Sequence, residues 1–89
     1  NRFYITFNRE SGEGRYDICL CPKDGKLPGI LIELKAAKDC ADDELKALSE
    51  TALKQINDRK YDTELTTKGV KNIFKYGVAF SGKKVQISE

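Results

Sequence analysis

The sequence predicts an α/β or α+β sheet domain with the element order β-β-β-α-β-β, and three observations carry that expectation. Short alternating segments rich in β-branched and aromatic residues lie towards both ends of the chain. One longer segment between them repeats its apolar residues at helical spacing, and Gly, Pro and Asn clusters punctuate the rest. At 89 residues the chain is expected to be a single domain, residues 1–89, with one core.

Residues Arg2 to Phe7 alternate and read as the first strand, and Asn8 to Gly14 then reads as a turn. The second strand is expected from Arg15 to Cys21, with Tyr16, Ile18 and Leu20 on one face and Asp17, Cys19 and Cys21 on the other. Pro22 to Gly29 has turn chemistry throughout, and Ile30 to Ala36 forms the third strand. Asp42, Asp43 and Glu44 suit the positive end of a helix that runs to about Asp58, with Asp42 as its cap. Leu45, Leu48, Ala52 and Ile56 make its buried stripe, with Gln55 on the flank. A short helical turn is expected from Asp62 to Lys68, stopping at Gly69. Val70 to Phe80 and Lys83 to Ser88 close the sheet through a two-residue Ser81-Gly82 hairpin turn.

Composition then limits the chemistry. The absence of His removes Ser-His-Asp and Cys-His mechanisms and any metal site that needs imidazole. Cys19, Cys21 and Cys40 are odd in number and lack paired spacing, which points to reduced thiols and a cytoplasmic setting. The longest aliphatic run, Ile30-Leu31-Ile32, is far too short to cross a membrane as a helix, and no membrane partner is expected. With 16 Lys and Arg against 14 Asp and Glu, charge alone does not mark a nucleic-acid binder. The opening Asn-Arg-Phe-Tyr and the absence of Met lead us to expect a segment of a longer protein.

Four acidic residues stand two positions before a Lys, but only Glu33 and Lys35 do so inside an expected strand, where that spacing puts both on one face. Antiparallel pairing about Gly25 sets Asp17 opposite Glu33, with Cβ atoms about 5 Å apart. Like charges so placed destabilise an ordinary sheet, and a divalent cation between them reverses the sign. Asp17 and Glu33 thus become candidate ligands for Mg²⁺, with Mn²⁺ as substitute, and Lys35 a candidate for orienting water and steadying developing charge. Gln55 could hydrogen-bond a water or a phosphate oxygen from the helix. The same residues also suit an ordinary surface cluster in which Lys35 pairs with Glu33.

At these residues the sequence resembles the PD-(D/E)xK nuclease superfamily, in particular the bacterial branch found C-terminal to AAA-ATPase-like domains. The resemblance rests on Asn8 to Asp17, on Pro28 to Lys35, on Ala52 to Ile56 leading to Lys60-Tyr61-Asp62, and on Tyr76 to Val85, in collinear order. It implies a restriction-endonuclease-like mixed sheet flanked by helices and a Mg²⁺-dependent nuclease acting on nucleic acid, with DNA the expected substrate. It also implies that Asp17 binds metal, that Glu33 and Lys35 are the ExK pair, and that Gln55 is the helix residue several members use. An upstream AAA-ATPase-like domain is the implied partner, and a homodimer would suit double-strand cutting. Many members place a further acid on a helix before the first strand; that helix is missing from this sequence, and Glu10 is the nearest substitute. Arg9, Arg15 and Lys38 are candidate phosphate contacts. The alternative is a catalytically idle nuclease-like domain that binds nucleic acid or docks on the ATPase-like partner.

Overall fold

The computed structural model describes residues 2–10, 15–24, 26–59 and 65–89, and of residues 8–10, 15–17 and 58–59 the backbone only. Five strands and one long helix follow in the expected order: β1 (Phe3–Glu10), β2 (Arg15–Pro22), β3 (Gly29–Ala36), α1 (Asp42–Arg59), β4 (Ile73–Ser81) and β5 (Lys84–Ser88). They form a single sheet of order β1-β2-β3-β4-β5. The first three strands make an antiparallel meander, β4 runs parallel to β3, and β5 returns antiparallel to β4. The parallel step requires a crossover, which α1 supplies.

Several boundaries differ from the sequence expectation. β1 continues through Glu10, so Asn8, Arg9 and Glu10 are strand residues paired with Asp17, Tyr16 and Arg15 and not the start of a turn. Ladder pairing there outweighs the polar composition. The rest of the expected turn, residues 11–14, and residues 62–64 of the expected short helix lie outside the described residues. The helical turn beginning at Leu65 stops as expected at Gly69, whose φ of 90° admits the left-handed backbone there. β4 starts at Ile73 instead of Val70. Val70 is drawn into the core, its N–H bonded to the Leu65 carbonyl at 3.1 Å. The hairpin turn is Gly82-Lys83, because Ser81 pairs with Lys84. Gly82 takes φ 58° at the first central position, as a type II′ turn requires.

Helix α1 seats differently in its middle and at its start. Its buried stripe is Leu45, Ser49, Ala52 and Ile56, and Leu48 moves to the flank. Asp42 does not cap. It pairs with Lys84 at 3.1 Å, and the Glu44 carboxylate instead accepts the Ala41 N–H at 3.3 Å. An acid in the first turn reaching back in this way is half of a capping box.

The helix lies on one face of the sheet against β3, β4 and β5. Below its C-terminal end, Cys21, Leu31, Ile56, Leu65 and Val70 form the main apolar cluster. The opposite face, carrying Ile18 and Leu20 of β2, Ile30 and Ile32 of β3 and Phe74 and Val78 of β4, is covered by no element among the described residues.

Candidate active site

Glu33 stands on the helix-covered face of β3, one alternation from buried Leu31, and is itself 0% exposed. Its two carboxylate oxygens are shielded from solvent. On one side the ladder places Asp17 of β2 opposite it, in the register the sequence suggests, and on the other side Gly77 of β4. That register brings positions 17 and 33 to about 5 Å at Cβ. Lys35 follows two residues along, half-buried, opposite the fully buried Ala79.

Two residues outside the sequence-derived set put the helix over Glu33. A Cβ at Gly77 would collide with the Ser49 carbonyl oxygen and the Leu53 amide nitrogen, so only glycine lets α1 approach this closely. Ser49 fills the contact with a short side chain whose hydroxyl donates to the Lys46 carbonyl at 2.7 Å. That leaves the Ser88 hydroxyl to donate to Ser49, also at 2.7 Å, which ties this flank of the helix to β5. A signal was present in the sequence: Gly77 and Ala79 put two minimal side chains at one parity of a strand.

The same contact orients Gln55. Six residues at 100° each put it about 120° around the helix from Ser49, with buried Ala52 midway between them. Ser49 bonds to Ser88 of β5, and Gln55 is half-buried on the other flank of the buried stripe. By register, position 17 and Glu33 are paired and Lys35 stands two residues along on the same face of β3, while Gln55 lies half-buried on the flank of α1.

The remaining candidates are more dispersed. Position 10 pairs with position 15 and shares the alternation of the Asn8 and Asp17 pair, so Glu10 and Arg15 fall at register positions on the site's face. Arg9, opposite Tyr16, has the other alternation. Lys38 is exposed in the connection beyond β3. Among the described residues no group of three or more His, Cys, Asp or Glu comes together, so the carboxylate pair rests on the ladder register. An all-oxygen pair, one member withdrawn from water and with no His to compete, suits a hard divalent cation.

This arrangement can be set against known families. A family model described as the PD-(D/E)XK nuclease superfamily matches residues 1–89. The chain belongs to that superfamily. The five-stranded mixed sheet with its packed helix is consistent with the restriction-endonuclease-like fold of the PD-(D/E)XK proteins, which are generally nucleases and typically use divalent metals. Searches of curated proteins and of solved structures found no significant match. Among the described residues of this superfamily member, no helix is long and apolar enough to cross a membrane.

Proposed function

We propose that this chain is the metal-dependent nuclease domain of a longer protein and hydrolyses phosphodiester bonds, with DNA as the substrate. The observation that carries the reading is the pairing of Asp17 with Glu33 on the sheet face under α1, with Lys35 two residues along. Asp17 and Glu33 would hold Mg²⁺, and Mn²⁺ in its place. Bound there, the ion would offset the charge of the two carboxylates against an incoming phosphodiester and make water more acidic. Lys35 contributes a positive group that orients the attacking water and stabilises negative charge as it develops on the phosphoryl oxygens. Gln55, held by the rigid helix, donates a hydrogen bond to a phosphate oxygen or to water. Arg15 and Lys38 supply sequence-independent attraction to the backbone, with Arg9 further round the sheet. Glu10, at a register position on the same face, is the candidate third acid.

One observation favours a second reading. Glu33 is wholly buried beneath α1, which suits a nuclease-like domain that no longer turns over and instead binds nucleic acid or docks on an AAA-ATPase-like partner domain. The two readings separate in a cleavage assay on single- and double-stranded DNA and RNA with Mn²⁺. The nuclease reading expects metal-dependent cleavage that Lys35→Ala lowers by about 10²- to 10³-fold while the heat of Mn²⁺ binding is unchanged. Identical binding heats for wild type and Asp17→Ala would remove the metal assignment. Binding of nucleic acid without cleavage, with or without the longer parent chain, would establish the second reading.

A further inference from the structure

One side of β1 continues the helix-covered face of the sheet beyond the reach of α1. Tyr4 pairs with Cys21, which belongs to the apolar cluster under the helix, so by alternation Arg2, Tyr4, Thr6 and position 8 share that face. The helix packs against β3, β4 and β5 and leaves this row open: Arg2, Tyr4 and Thr6 are all exposed, Tyr4 at 63%. On β2 and just past its end, position 17, Cys19, Cys21 and Lys23 stand opposite the row.

The two ends of the row differ in charge. At one end the Lys23 N–H donates to the Arg2 carbonyl at 2.8 Å, which carries the ladder one pair further and sets two cationic residues opposite each other. The Lys23 ammonium lies 4.8 Å from the centre of the Tyr4 ring, a cation–π contact that still leaves the tyrosine largely exposed. Arg2, Lys23, Asp24 and Leu27 line an open hollow of about 330 Å³ with a net positive charge, and the Asp24 carboxylate accepts the Lys26 N–H at 3.0 Å within its own turn. At the other end position 17 faces Glu33. Six residues separate positions 17 and 23, about 20 Å at the rise of a strand. Like charges directly opposite each other, as at Arg2 and Lys23, cost stability in an ordinary sheet, and an anion bound between them reverses the sign. A partner that offers an anion and a flat π surface side by side therefore fits this end, and a nucleotide does so.

We propose that this row is a track for an unpaired nucleic-acid strand, leading from phosphate contacts at Arg2 and Lys23, past a base stacked on Tyr4, to the carboxylate pair at positions 17 and 33. Where the track leads rests on the nuclease reading above, whereas the binding itself does not. An unpaired strand fits because the base faces of a duplex are covered by their neighbours, and a base must leave the stack before an aromatic side chain can take its π face. Stacking on Tyr4 tolerates any base, so the track selects for strandedness and not for sequence. DNA and RNA share this chemistry.

Fluorescence anisotropy of labelled oligo-dT, oligo-rU and a DNA duplex, titrated with this chain in EDTA so that binding is read without cleavage, tests it. The single strands are expected to bind more tightly than the duplex. Tyr4→Ala should weaken single-strand binding by about 5- to 100-fold, and Tyr4→Phe, which keeps the ring, should bind as wild type. A loss confined to oligo-dT or to oligo-rU would assign the track to that polymer. Lys23→Gln should lower the slope of log affinity against log salt by about 0.7, one phosphate contact on a single strand. Ile5→Thr, on the opposite face of β1, should change neither affinity nor slope, with circular dichroism confirming the fold of each variant. Equal affinity of wild type and Tyr4→Ala, an equal loss in Tyr4→Phe, or a duplex bound as tightly as the single strands would overturn the track. Tyr4-dependent binding without cleavage in Mn²⁺ would uphold the track and remove the nuclease reading. Metal-dependent cleavage with Tyr4→Ala binding as wild type would do the reverse.

Discussion

A single missing Cβ has the largest consequence at the residue scale. Gly77 lets α1 sit directly on the strand beside Glu33, and the atoms a side chain would strike are helix backbone, which cannot turn aside. Gly77→Ala is therefore expected to lower unfolding free energy by about 3 kcal/mol or more in urea denaturation, beyond the ordinary cost of overpacking. Ser49→Ala should cost only about 1 kcal/mol, since the two hydroxyl bonds it loses leave behind the Lys46 carbonyl in the exposed first half of the helix and the Ser88 hydroxyl at the partly exposed end of β5. Cys40 responds to its surroundings in another way. Burial, then the Glu44 carboxylate, and more weakly Asp43, push its thiol pKa up against a smaller lowering by Lys84. A raised thiol pKa means less thiolate at mildly alkaline pH. Cys40 should thus alkylate more slowly at pH 8 than a simple thiol, and faster in Glu44→Gln, as peptide mass spectrometry would record.

Among the elements, the first three strands follow their alternation and the helix follows its acidic first turn and apolar spacing. Where expectation and structure part, a contact from another element is responsible. Leu48 and Ser49 exchange places in the buried stripe because the helix rolls to bring its shortest side chains over Gly77. The cap passes from Asp42 to Glu44 as Asp42 reaches across to Lys84. That ion pair is 84% exposed at Asp42 and 56% at Lys84, so water screens it heavily. Asp42→Ala is expected to change stability by less than about 0.5 kcal/mol, readable as a shift in denaturation midpoint at unchanged slope. Glu44→Ala, which frees the Ala41 N–H, should cost somewhat more, about 0.5–1 kcal/mol.

For the whole molecule, the sheet has one face under a helix and one face open among the described residues. Phe74, Val85 and Ile87 on the open face are 49%, 57% and 60% exposed, and Ile5 and Phe7 extend that surface to the far edge. Together they present on the order of 500 Å² of apolar area, at the upper end of what a monomer normally shows. The native chain should therefore enhance the fluorescence of an apolar dye such as ANS, and the enhancement should disappear through the urea transition. A native chain with no enhancement would mean that this face is covered in solution.

The sequence by itself determined the strand and helix order, the common face of Glu33 and Lys35, and the offset that sets Asp17 against Glu33. Those are local matters, governed by the two-residue period of a strand and the length of the loop after Cys21. Tertiary structure alone decided that β4 is the parallel neighbour of β3 and that Glu33 is closed off on the face under α1. The first depends on the crossover through α1, and the second on how closely the helix can approach the sheet, a closeness set by Gly77, Ala79 and Ser49 acting together across more than one element. A side chain that is absent leaves little trace in hydrophobic periodicity, and its effect appears only when another element moves into the space.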